Sequence, residues 1–409
     1  MSGAPVFDLH VDVHGPVRRP TPSNNMHIPC SRILLKANRP RSSWLWAVSL
    51  GWILAATPVS AGQPSAPAEE PRPEEQPVFI HPSPIGDLEY RPGRGFKLGD
   101  TGVTVGGFST LLFEHQEGGT TDERTTHFTL DDLNLFLLFD PTPYFHVFSE
   151  LGFETLVELG DEETQPEPRD TVVVDRLYAD LNLNDRLNVR FGKFFTPVGR
   201  WNQIPAEPLV WTNSRPLVTD GPFDEQVTGG MVWGTVFPTD ESLTYNLYGQ
   251  FLRPLARDRR IPPADHSAGA RLEYASLAAW SLGTSYFASS RDDRWNHVAG
   301  VDALWRSERS ELTGEFLFGR GDPAGRHLLG FYIQGVQELI HTLSIVGRYE
   351  YFDPGDPLPP VNLFGVGFSW RPSPYVVVNL DYLFADRLRG IDRSEQNPPG
   401  LRVGLSVLF

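Results

Sequence analysis

The sequence is poor in two residues that usually carry chemistry. It has one cysteine in 409 residues, and only three lysines, Lys36, Lys97 and Lys193. A single cysteine excludes an intrachain disulfide framework and any cysteine-based zinc site within one chain. Acidic residues (51) outnumber basic ones (35), for a formal net charge of −16, which argues against nucleic acid as a partner. No stretch reaches the ~20 apolar residues of a membrane helix. Strands can still cross a membrane, because alternation hides their hydrophobicity. A hydrophobic fraction of 40% with 12% aromatics is too rich for a disordered chain. The sequence has no nucleophile–base constellation, no metal-ligand cluster and no phosphate loop, so no enzyme activity, cofactor or metal is expected.

The N-terminal region reads as export machinery followed by a spacer. Residues 41–61 form a signal peptide: Arg32, Lys36, Arg39 and Arg41 supply positive charge ahead of an apolar run over 44–56. Val59-Ser60-Ala61 is a small-x-small cleavage site, so the mature chain would begin at Gly62. Residues 1–40 have no pattern and read as a mis-assigned extension, with Met26 the expected start. Residues 62–101 are Pro- and Glu-rich and are expected to be a periplasmic linker.

From 102 to 409 the dominant period is two. Leu177, Ala179, Leu181 and Leu183 alternate with Arg176, Tyr178, Asp180 and Asn182, and Val403, Leu405 and Val407 with Arg402, Gly404 and Ser406. Sixteen such segments occur, joined alternately by short turns (140–143, 184–186, 238–241, 371–373) and longer polar loops. Aromatics, among them Phe139, Tyr144, Tyr274, Trp280, Trp370 and Tyr375, cluster beside the short turns. The pattern predicts an all-β fold: a transmembrane antiparallel β-barrel with short periplasmic turns, long outer loops and an aromatic girdle, placed in the outer membrane. A soluble β-protein binding carbohydrate through Trp-rich loops is the weaker reading, because one sandwich rarely sustains so many strands.

Sixteen strands leave a water-filled lumen. Its expected lining is Asp132, Glu150, Glu154, Arg176, Asp180, Arg190, Arg271, Glu273, Glu315, Arg348, Glu350, Asp381 and Arg402. The excess of carboxylates predicts a weak cation preference. Against this, Arg271 with Glu273 and Arg348 with Glu350 place both signs on one face of one strand, where pairing would hold the wall together. The longest loop, 196–225, is rich in Pro and Trp and carries Arg200, Trp201, Trp211, Arg215, Asp220 and Asp224. Fixed φ angles and large rings suit a defined shape, so this loop is expected to fold inward and form a constriction. Arg253, Arg257, Arg259 and Arg260 could attract lipopolysaccharide or anionic solutes.

The run VDRLYADLNL at 174–183, a short turn, and LNVRFGKFFTPVG at 187–199 resemble the strand–turn–strand of bacterial outer-membrane porins. They are most similar to the phosphate-selective porin O/P-like group. The terminal Phe409 on an alternating last strand resembles the assembly signal of such proteins. The resemblance implies a sixteen-stranded channel, with a homotrimer as one assembly. Phosphate selectivity in that group rests on lysine-rich pores; the predicted barrel holds one lysine, Lys193, so anion specificity is not carried over. The expected function is passive diffusion of ions and small hydrophilic solutes, in contact with outer-membrane lipid and lipopolysaccharide. The alternative is a plugged barrel with a structural or adhesive role; the inward glycines Gly106, Gly283, Gly330 and Gly404 favour open space over a packed plug.

Overall fold

The computed structural model describes residues 78–81, 87–116, 125–160, 172–238, 241–252, 264–276, 279–321, 326–355, 359–385 and 399–409. All fall in one compact unit, Pro71–Phe409. The expected extension, signal peptide, first part of the linker and the arginine cluster of 253–260 lie outside these residues.

Three short strands come first: β1 (Phe79–His81), β2 (Leu88–Arg91) and β3 (Gly95–Leu98). They form an antiparallel meander whose last strand pairs with the start of β4. The stretch expected to be linker through residue 101 is therefore partly sheet; in its latter part Phe79, Tyr90 and Phe96 sit opposite one another on three strands with their rings in contact.

Sixteen longer strands follow. They are β4 (Val103–Gln116), β5 (Thr125–Thr142), β6 (Phe145–Gly160), β7 (Val173–Asn184), β8 (Leu187–Phe195), β9 (Gln226–Val236), β10 (Glu241–Gln250) and β11 (His266–Ser276). The rest are β12 (Trp280–Arg291), β13 (Arg294–Arg306), β14 (Ser310–Gly321), β15 (Arg326–Ile340), β16 (Leu343–Asp353), β17 (Val361–Ser373), β18 (Val376–Ala385) and β19 (Gly400–Leu408). Each pairs antiparallel with its neighbours in sequence, and β19 pairs with β4, closing a barrel with no edge. The closing seam ends in a reciprocal pair: Gly107 and Phe409 exchange both backbone hydrogen bonds at 2.9 Å.

The strands tilt strongly. Direct cross-strand partners lead from Val103, at the short-turn rim, through Phe139, Val147, Ala179 and Phe191 to Gly230. They continue through Gly249, Ala268, Ala288 and His297 to Arg320, beside the long-loop rim. A row of hydrogen-bonded neighbours thus climbs the wall, as closure of a sheeted cylinder requires. One link on the long-loop rim is tight: Asp292 and Asp293, both at positive φ (49° and 60°), form a two-residue turn between β12 and β13.

The alternation sorts the wall into two faces. Outward positions carry large apolar side chains that stay exposed, among them Leu177, Phe191, Leu247, Leu282, Val301, Ile333, Phe364 and Leu380. Exposed Tyr144, Trp280, Trp305 and Trp370 lie beside the short turns, and Tyr274 and Trp280 touch with ring centroids 5.4 Å apart. Inward positions are mostly buried and carry most of the charged side chains, together with one apolar cluster. Among the described residues no helix is long and apolar enough to cross a membrane.

Candidate functional site: the lumen and its inward segment

The segment 196–225, between β8 and β9, runs inside the barrel and is bonded to the inner wall. It contains three single 3₁₀ turns, Trp201–Gln203, Glu207–Leu209 and Leu217–Thr219. Ordering such a segment costs about 1–2 kcal/mol per residue in backbone entropy. Its prolines lower that cost by narrowing the unfolded ensemble. Polar contacts worth about 0.5–1.5 kcal/mol each net cannot offset the remainder alone. Apolar burial supplies the balance at about 1.5–3 kcal/mol per side chain. Val198, Val218 and Phe223 of the segment pack into a cluster with Phe194, Val227, Met231, Tyr248, Phe287, Leu317, Tyr332 and Phe352 from the inner wall. This apolar cluster inside the barrel is absent from the alternation-based reading of a wholly polar lumen.

The polar anchors are specific. The backbone N–H of Gly199 donates to Ser285 Oγ at 3.2 Å. Gly199 has a positive φ (63°), and Glu315 lies where a Cβ would be, so only glycine fits there. Arg200 donates to Glu273 at 2.8 Å and to Ser281, and lies 3.6 Å from Asp302. The backbone N–H of Trp201 donates to Glu315 at 2.6 Å, and Tyr332 donates to the same oxygen at 2.8 Å. Trp211 donates to Glu311 at 3.0 Å and stacks under Arg371. Arg371 also donates to the carbonyls of Pro208 and Val210. Asn213 donates twice to Asp381, and Leu217 N–H donates to Glu350 at 2.7 Å. Arg348 donates to Thr212 and Ser214.

Two of the remaining residues bond within the segment and a third reaches the end of β12. Arg215 binds Thr219, Asn202 and Glu225 within the segment. Asp220 caps the third 3₁₀ turn through its backbone N–H. Asp224 pairs with Arg291 at the end of β12, and burial pushes its carboxyl above the ordinary range against the pull of that arginine.

The expected lining residues are brought together mainly as ion pairs. Arg176 pairs with Glu150 across β6–β7, and Arg190 binds Asp180 through two nitrogens at 2.7 and 2.8 Å. Arg271 is bonded to Asp302 and Glu273, and Arg402 to Glu114 at 2.7 Å. Arg348 and Glu350 approach to 2.7 Å and are each no more than 2% exposed. Glu315 and Asp381 instead accept hydrogen bonds from the segment. Asp132 and Glu154 face each other in register across β5–β6; their side chains lie outside the described residues. Asp302, Glu114, Glu311 and Tyr332 belong to the same inward set and are missing from the sequence reading, although their strand parity marks them equally well.

Inward glycines were expected to leave open space, but the structure fills it. Val218 lies against Gly330, Asn213 against Gly404, and the Arg271–Asp302 pair against Gly283. Gly106 faces the backbone of Gly95 and Phe409. Among the described residues no group of His, Cys, Asp and Glu could hold a metal ion.

No protein-family model matches the chain. An uncharacterized protein of Aquifex aeolicus (strain VF5) is 22% identical over 344 residues, covering 70% of this chain and 76% of that one. Among solved structures, the anion-selective porin from Comamonas acidovorans superposes with a TM-score of 0.53 at 12% identity, over 75% of this chain and 99% of that chain. Salmonella typhi OmpF, in a complex with daunomycin, gives 0.54 at 10% identity, over 76% and 98%. The chain therefore has the architecture of these porins, a closed sixteen-strand antiparallel barrel.

Proposed function

We propose that the chain is a porin: an outer-membrane pore for passive diffusion of ions and small hydrophilic solutes, narrowed by the segment 196–225. The observation that carries the reading is the placement of that segment. The hydrogen bonds named above run from the segment to β11–β18, and its apolar side chains pack with residues of β8–β10 as well, which leaves the β4–β7 wall for the proposed passage. The exposed apolar outer face, with Trp and Tyr beside the short turns, supports contact with outer-membrane lipid and lipopolysaccharide. A soluble protein of this size would not leave so wide an apolar band in water.

Among the inward groups named above, carboxylates outnumber arginines. Arginine pairing damps the field, so the preference we propose is weakly cationic. The similarity of 174–199 to the phosphate-selective porin O/P-like group, and a homotrimeric assembly, belong to the same proposal. The test is a planar-bilayer recording of the refolded chain from Gly62 across a KCl gradient. Stepwise ohmic conductance with a small cation-leaning reversal potential is expected. An anion-leaning potential would overturn the ion preference. A folded, inserted and silent protein would favour the plugged structural barrel.

A further inference from the structure

The β4–β7 wall carries a ladder of rings, which at Tyr178 meets the apolar cluster shared with the inward segment. Phe108, Phe136, Phe148 and Tyr178 come from four successive strands, β4–β7, all at inward positions. Their centroids are 5.8, 5.7 and 5.4 Å apart in turn. Hydrogen-bonded rows climb toward the long-loop rim across these strands. Two of the three steps go back against that climb: Phe108 pairs directly with Asn134 and Phe136 with Glu150, each two residues from the next ring, while Phe148 and Tyr178 pair directly with each other. The rings therefore stay within a narrow band of depth and form an arc around the lumen rather than a line along it.

That depth is near the short-turn rim, since Phe148 lies close to the start of β6. The inward segment reaches the same zone. Its Pro208 and Val210 carbonyls accept from Arg371, whose own N–H bonds the Thr342 carbonyl in a short turn. There the segment leaves Leu209 and, just before it, Ile204 more than half exposed. Exposed aliphatic side chains of the segment and the rings of β4–β7 both add apolar surface toward this rim.

The arc also stacks planar groups already. The Arg190 guanidinium lies 3.7 Å from the Tyr178 ring centroid, and that of Arg176 lies 4.6 Å from Phe148. Phe108 is buried, but Phe136, Phe148 and Tyr178 are only partly so. Flat groups gain more on such a surface than aliphatic ones, because ring–ring and ring–guanidinium contacts add to area burial.

We infer that this arc is a binding site for solutes with a flat aromatic ring, so that the pore retains ring-bearing solutes in transit. The inference rests on the pore reading above and adds a solute class to it. Two zwitterions without net charge separate stacking from ion preference: L-tryptophan and L-leucine. Equilibrium binding to the detergent-folded barrel is measured with each, and current interruptions are counted in the bilayer. Tryptophan should bind and interrupt at least about tenfold more than leucine. The double variant Phe136→Leu/Phe148→Leu keeps the surface apolar and should abolish that difference. Equal behaviour of the two amino acids toward the wild-type protein overturns the inference, as does a difference that survives in the variant. Binding is read without current, so a silent barrel that still prefers tryptophan would sink the passage reading and keep the aromatic site.

Discussion

Arg348, on β16, is buried beneath Ser214 of the inward segment and donates to both its carbonyl (2.7 Å) and its hydroxyl (2.6 Å). The same guanidinium reaches Thr212 at 2.7 Å and lies 2.7 Å from Glu350, which in turn accepts from Leu217 N–H. One wall arginine thus fixes two separate points of the segment. Arg348→Met would leave Glu350 buried without its cation, at a cost of about 3–5 kcal/mol. The expected result is a lower unfolding midpoint, read by heat-modified migration on gels, and noisier single-channel current. Adding Glu350→Gln should recover part of the loss.

Val218 and Gly330 offer a covalent test of where the segment sits. A Cβ built on Gly330 would lie 2.9 Å from a Val218 methyl, close enough for two cysteines to bridge. Chain from Gly62 onward has no cysteine, so Val218→Cys/Gly330→Cys introduces the only pair. Air oxidation should join them, seen as a mobility shift reversed by reductant. Conductance should be the same in both states, because the segment is already against the wall.

Gly107 and Phe409 predict an assembly defect. The Gly107 position leaves no room for a Cβ, which would meet the backbone oxygen of Asn134 and the Phe409 ring. Gly107→Val should therefore weaken closure between β4 and the chain end. The measurable outcome is a loss of the compact, heat-modifiable species on folding in detergent, whereas Gly335→Val, at a position with open space, should fold normally.

Asp224 gives a pH dependence whose sign follows from its environment. Burial raises its carboxyl pKa above the ordinary value, with Arg291 opposing. The folded state then binds this proton more tightly than the unfolded state. Its contribution to stability is fully present below the ordinary carboxylate value and is lost as pH rises through the raised one. Asp224→Asn should flatten the fall in unfolding midpoint over that window. An unchanged pH curve would contradict the role given to burial here.

The strands were legible because each face meets a different environment and period two records that difference residue by residue. Arg176, Asp180, Arg271, Glu350 and Arg402 were placed inward by parity alone, and Asp302 and Glu311 could have been placed the same way. Partner choice was not legible. Arg271 binds Asp302 two strands away as well as its own-strand neighbour Glu273, and register between distant segments is not written in either sequence. The inward glycines misled because absence of a side chain reads as space, whereas Gly330 and Gly404 receive Val218 and Asn213 from a segment far along the chain. The Pro- and Trp-rich composition of 196–225 signalled a fixed shape; it could not say that Leu209 would stay more than half exposed on that segment.

The central claim is that 196–225 narrows the passage, and deleting residues 200–220 tests it most directly. The variant is first shown to fold by heat-modified migration, and single-channel conductance in KCl is then compared with that of the intact chain. The account predicts a severalfold larger conductance with weaker tryptophan–leucine discrimination, since one side of the narrow zone has gone. A folded variant with unchanged conductance would contradict it.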